Sequence, residues 1–220
     1  MNRTEIATCD YTWNPTVGCD PEPISPGCQH CYARARASRM YPGPDTFAVR
    51  LMPKRLEQPL AVKQPSRIML CSMGDLFAAN VTPYFRQRVW NTMRQAHWHT
   101  FQVFTKRVET LLGDRLIWHP HIWSIVSIED QHRADLRLPL LQQCSAVVRG
   151  ISAEPLLGLL DLSPWLPWLD WVICGPETGP GARPMELDWA RLIRDDCAKA
   201  GVPFFYKPGE LDGHRETQWP

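Results

Sequence analysis

Three cysteines, Cys19, Cys28 and Cys31, stand in the stretch TWNPTVGCDPEPISPGCQHCYA (12–33) with the spacing C-x8-C-x2-C. Thiolates are soft ligands, so three of them on one short loop can hold a soft metal ion or an iron–sulfur cluster. Three ligands leave one coordination position to be filled from outside the loop. The competing chemistry is a structural zinc ion, which takes four tetrahedral Cys or His ligands. Cys28 and Cys31 make a zinc half-site, with Cys9 or His30 as the fourth ligand, but no second CxxC or HxxxH lies nearby. Spacing alone leaves cluster and zinc both open. Cys71, Cys144, Cys174 and Cys197 lie in apolar strands or on helix faces and read as buried, inert thiols.

The elements that must position this loop can be read on either side of it. A short β segment, Asp10 to Trp13, leads in, and YARARASRM (Tyr32 to Met40) leads out as a helix with good helix formers and no breaker. The chain from 41 to 66 reads as an irregular insertion divided by Pro53, Pro59 and Pro65, with a helical turn near Lys54 to Gln58. Beyond it strands and helices alternate: strand 67–72, helix 83–96, strand 100–105, helix 108–112, strand 121–128, helix 134–143, strand 146–152, strand 170–174, helix 187–200 and strand 202–207. Thr82 and Pro83 form a helix start, and Phe85, Val89, Met93 and Ala96 mark one buried face. Alternation of this kind predicts parallel crossover units. The expected fold is α/β, a single domain built as a partial parallel (β/α)6-type TIM-like barrel; a sheet wound on both faces is the competing architecture.

In a parallel barrel the chemistry sits in loops at the carboxyl ends of the strands. Those ends carry Gly74 and Asp75, then Lys106 and Arg107, then Glu129, Glu154, Glu177 with Arg183, and Lys207. The cysteine loop follows the first strand, so all these groups are expected on one rim. Each has a plainer reading: Asp75 as the cap of a turn, Lys106 and Arg107 as a solvated loop end, Glu154 as a turn residue. The stretch Gly175 to Gly181 could cradle a phosphate, but it lacks both the P-loop lysine pattern and the G-x-G-x-x-G fingerprint. Trp165, Trp168 and Trp171 read as packing residues.

A formal charge of +1, from 24 basic and 23 acidic residues, gives no global electrostatic drive toward nucleic acid or an anionic membrane. No apolar run is long enough to cross a bilayer, and MNRTEIATCDYTW has no signal-peptide apolar region. A cytoplasmic protein without a membrane partner follows, in which eight cysteines read as thiols or ligands, not disulfides.

The stretches TWNPTVGC, SPGCQHCYA, SMGDLF, TFQVFTKR, SIVSIED, ISAEPLLG, DWVICGPETGPGARPM, VPFFYKPGE and DGHRETQWP together resemble a phage and bacterial three-cysteine-motif family of radical-SAM-like character and no generally assigned substrate. The superfamily spacing is C-x3-C-x2-C, whereas here the first gap is eight residues. Where the family shows GGESG, this chain has Gly175-Pro176-Glu177-Thr178-Gly179.

The resemblance implies an enzyme in which Cys19, Cys28 and Cys31 hold a [4Fe-4S] cluster and S-adenosylmethionine (SAM) chelates the fourth iron. It implies hydrogen abstraction by a 5′-deoxyadenosyl radical and an electron donor of flavodoxin or ferredoxin type. His30 and Tyr32 are expected near cluster or adenine, Gly74 and Asp75 at the SAM amino group, and Ser127 and Glu129 at ribose. Glu154 joins them as a rim ligand. Lys106 or Arg107 would pair with a carboxylate or phosphate, and Glu177 completes the catalytic set. The substrate class is small or nucleotide-linked, with nucleobase modification in phage DNA as a subclass carried out in the host cytoplasm. The rival is a non-catalytic, zinc-stabilised interaction module that works with a partner protein.

Overall fold

A computed structural model of the chain describes residues 1–43, 45–179 and 181–220. Its strands are β1 (Asn2–Arg3), β2 (Tyr11–Trp13), β3 (Thr16–Val17), β4 (Arg50–Leu51), β5 (Arg67–Leu70), β6 (Thr100–Thr105), β7 (Ile122–Ile128), β8 (Arg149–Ala153), β9 (Trp171–Cys174), β10 (Phe204–Leu211) and β11 (His214–Thr217). The helices are α1 (Tyr32–Met40), α2 (Gln58–Ala61), α3 (Pro83–Gln95), α4 (Val108–Gly113), α5 (Gln131–Leu141) and α6 (Leu187–Ala200).

One nine-stranded sheet runs in the order β1-β2-β5-β6-β7-β8-β9-β10-β11. From β2 to β10 every neighbouring pair is parallel; β1 and β11 close the two edges antiparallel. The parallel strands follow chain order with no reversal, and right-handed crossovers then place their helices on the same face. A sheet wound on both faces needs a reversal of order, so that alternative is set aside. The fold is α/β with a mostly parallel sheet. Among the described residues the ladder is open between β1 and β11.

The two faces have different chemistry. Ile68, Leu70, Phe101, Val103, Val126, Ile151 and Val172 pack with Phe85, Val89, Leu138 and Ile193 of the helices in the main core. The other face holds a separate aromatic group, Ile125, Trp171, Ile173 and Phe205, with Phe104, Trp123 and Trp219 against it. Trp171 meets the Trp219 ring at 5.0 Å between centroids, so the penultimate residue seals this face. Trp165 and Trp168 pack edge to face beside the main core.

Local signals account for most boundaries. Thr82 caps α3 by accepting the Phe85 N–H at 3.3 Å, with Pro83 at the first helical position. Asp130 accepts the Arg133 N–H at 2.8 Å and starts α5 at Gln131, three residues before the apolar pattern predicts. Cys71, at φ 56°, ends β5 at Leu70, short of the expected Ser72. The sequence-based reading also stops the last strand at Lys207. It continues instead through Pro208 and Gly209 to Leu211 and turns at Asp212-Gly213, both with positive φ, into β11. An Asp-Gly pair of this kind is a recognised hairpin signal. The insertion carries more structure than expected: β3 pairs with β4, and 3-10 turn Pro53–Arg55 and α2 follow.

Candidate functional site

The cysteine loop leaves β2 and crosses the carboxyl ends of the strands, fastened at several points. Gly18 and Gly74 form an isolated parallel bridge, and the Gly18 N–H donates to Met73 O at 2.8 Å. The approach is too close for a side chain: a Cβ on Gly74 would stand 2.3 Å from Gly18 O. The Cys19 N–H donates to Phe47 O of the insertion at 2.9 Å. Ser25 Oγ donates to Glu129 Oε1 at 2.8 Å, and a Cβ on Gly27 would meet Glu129 Cγ and Oε1 at 2.7 Å. From the far side Arg183 donates to Pro26 O at 2.9 Å. Cys28 ends a 3-10 turn, Cys31 is the N-cap of α1, and Tyr32 donates its hydroxyl to Ser72 O at 2.5 Å. A segment rich in Pro and Gly is thus held through its backbone at Gly18, Cys19 and Pro26 and through the hydroxyls of Ser25 and Tyr32.

Charged groups beneath the loop form two linked networks. Glu129 is fully buried and accepts from Ser25, from Lys106 Nζ and from Arg137 at 3.0 Å. Asp75 is buried too, accepting from the Phe77 N–H, the Thr105 hydroxyl, the Lys106 N–H and Arg107 at 2.9–3.1 Å. Arg107 bridges onward to Asp20 at 2.7 Å, next to Cys19. Farther along the rim Lys207 pairs with Glu154 at 2.9 Å, and Arg183 chelates Glu177. The solvated-loop reading of Lys106 and Arg107 therefore fails, because each is committed to buried carboxylates. Asp75 does cap its own turn, and it also ties β5 to β6.

These networks set the proton affinities. Burial lowers Lys106 to about 8, against the opposing pull of Cys28. Burial alone would raise the Cys28 thiol, but the Ser25 hydroxyl and the Lys106 charge bring it below the ordinary range. Cys19 goes the other way: burial pushes it to about 11, only partly offset by Arg107. The hydrogen bond from Arg183 holds the Glu177 carboxyl below its usual value.

Of the expected rim residues, Gly74, Arg107, Glu129 and Arg183 touch the cysteine loop. Cys19 and Cys31 pack against the same Ala33, Ala37 and Phe47 group, while Cys28 faces Ser25 and the field of Lys106. All three are free thiols. Lys106 and Arg107 place positive charge beside Cys28 and Cys19, which favours their thiolate forms. As folded, no three His, Cys, Asp or Glu side chains among the described residues are close enough together to ligate a metal ion. Of the candidate fourth zinc ligands, Cys9 is buried, and the His30 ring lies against Gly181. Ser127 is half-buried on β7, its carbonyl accepting from Arg137 at 2.6 Å. Sequence reasoning missed Ser25, Gly27, Asp20 and Arg137. Of these only Gly27 carried a signal, lying among the loop prolines, since the others depend on contacts across more than one strand.

A family model described as "Protein of unknown function (DUF5131)" matches residues 3–217. No curated protein matches the sequence. Among solved structures the fold is similar to spore photoproduct lyase complexed with dinucleoside spore photoproduct, with a TM-score of 0.57 at 12% identity. The match covers 90% of this chain and 63% of that one, so the chain spans less than two thirds of the length of that protein.

Proposed function

We propose that this chain, which belongs to the DUF5131 family, is an iron–sulfur enzyme of radical-SAM type acting on a nucleotide-linked substrate. The observation that carries the reading is the position of the three-thiol loop across the carboxyl ends of a parallel sheet, fastened to Glu129, Gly74 and Arg183. The likeness in fold to spore photoproduct lyase supports a radical-SAM-like relationship, and the dinucleoside in that lyase's structure brings nucleotides into the substrate class.

In this reading Cys19, Cys28 and Cys31 would hold a [4Fe-4S] cluster that takes SAM as its partner. When bound, they would supply radical chemistry for hydrogen abstraction, with an electron from a flavodoxin or ferredoxin. The chain's own groups position and exclude water. Asp75 and Glu129 are already filled with protein donors, so we assign them to positioning: Asp75 fixes Arg107, and Glu129 fixes Lys106 and Ser25. Gly74, Ser127 and His30 would meet SAM, with Tyr32 anchored to Ser72 alongside them. Lys106, its proton affinity lowered by burial, is paired with Glu129 and places its charge beside the Cys28 thiol. Glu177 is locked by Arg183 and steadies the cysteine loop through it, and Glu154 with Lys207 offers a charged pair to the substrate.

Anaerobic purification with metal analysis tests the reading. A brown protein with about four irons per chain supports it. A colourless protein holding one zinc sinks it in favour of the interaction module.

A further inference from the structure

The near-neutral charge of the whole chain hides a separation of charge. Between Tyr32 and Lys63 there are seven basic and two acidic residues, whereas the remainder carries 17 against 21. The seven are Arg34, Arg36, Arg39, Arg50, Lys54, Arg55 and Lys63. Among the described residues none of them pairs with a carboxylate, and every ion pair is made by a cation outside the stretch. Arg34, Arg50 and Arg55 spend their donors on backbone carbonyls, of Asp20 and Pro21, of Asp45, Thr46 and Ala48, and of Asn14. That orders the guanidiniums without neutralising them. Arg34 lies 5.1 Å over the Phe47 ring and Arg50 4.8 Å over Tyr41, so rigid aromatic surfaces back two of the cations.

The same segment walls a cavity of about 250 Å³ at the β1–β2 edge. Thr12, Asn14, Thr46, Arg50, Arg55 and Gln58 line it with hydroxyls, amides and guanidiniums, and among the described residues no carboxylate side chain contributes to the wall. Asn14 and Gly18 belong both to this wall and to the stretch that carries Cys19, so the cavity adjoins the cysteine loop.

We infer that α1 and the insertion form a docking face for the phosphates of a single nucleic-acid strand, with one phosphate seated in the cavity against Arg50 and Arg55. This deepens the proposed function by naming a polynucleotide as the form of its substrate, and it rests on that reading for what happens at the rim. An anionic bilayer has the same charge, but the helix does not suit it: α1 buries only Ala33 and Ala37 and presents arginines, with no broad apolar face to insert. Guanidiniums that cannot lose their charge, ordered beside aromatic rings, are the groups that track a phosphate backbone.

The test is fluorescence anisotropy of the full chain with a labelled short single-stranded oligodeoxynucleotide across a salt series. The wild type binds the oligonucleotide, and log affinity falls with log salt with a slope of about −0.7 per phosphate neutralised. Replacing the exposed trio, R36Q/R39Q/K54Q, weakens binding about tenfold or more and flattens that slope by about 2. R88Q/R94Q, exposed cations of α3, leaves both unchanged at an unaltered melting temperature. Equal binding by wild type and the trio variant overturns the inference, as does binding to phosphatidylserine vesicles with none to the oligonucleotide. Binding needs no radical chemistry, so a protein that binds DNA but does not cleave SAM loses only the proposed function, and the reverse result loses only this inference.

Discussion

Gly27 lies directly on the carboxylate of Glu129: a Cβ at Gly27 would stand 2.7 Å from both Cγ and Oε1. The glycine is there because the loop carrying Cys28 and Cys31 must touch a buried acid that is itself fixed by Lys106 and Arg137.

Gly27→Ala is therefore expected to lift the loop off Glu129 and break the Ser25 hydrogen bond. Overpacking of this kind costs about 1–3 kcal/mol, read by denaturant melts, and iron retained after anaerobic reconstitution falls with it. Unchanged stability and unchanged iron would show that the loop does not need this contact.

Glu129→Gln leaves Lys106 and Arg137 buried without their counter-charge. Breaking a buried pair in this way costs about 3–5 kcal/mol. The double variant Glu129→Gln/Lys106→Met recovers part of the loss, since it removes one of the stranded cations. A double-mutant cycle by chemical denaturation measures the coupling; simple additivity of the two single variants would contradict it.

The cysteines differ in acidity, and the difference is testable in metal-free protein. The thiolate is the reactive form, so a thiol alkylates fast only as pH rises toward its pKa. Cys28 lies below the ordinary range, through Ser25 and Lys106 overcoming burial, while Cys19 is held at about 11 by burial. Iodoacetamide near neutral pH should modify Cys28 well before Cys19, with the site read by mass spectrometry. Lys106→Met shifts the Cys28 profile to higher pH. Cys19 reacting first would reverse the assignment.

Much of the frame was legible in the sequence, and the particular elements show why. Helix α1 begins and ends where YARARASRM predicts, and α6 matches because Gly201 closes it with a left-handed residue at φ 71°. The rim was legible because strand ends recur with polar residues in a parallel fold. Partners were not. Nothing in the order of residues joins Ser25 to Glu129, 104 positions away, or Arg183 to Pro26, 157 away. Charge was misleading in another way: a sum of +1 concealed the basic segment, because segregation is a property of position and not of composition. The Asp-Gly hairpin after β10 was written in the chain and overlooked.

The central claim is that the three-thiol loop supports radical chemistry on SAM, and its most direct measurement is reductive SAM cleavage. Reconstituted wild-type protein, reduced anaerobically with SAM, is predicted to yield 5′-deoxyadenosine above the protein-free control. The triple replacement Cys19/Cys28/Cys31→Ala should yield none while remaining folded. An iron-loaded wild type that forms no 5′-deoxyadenosine, or a triple variant that forms as much as the wild type, would contradict the account.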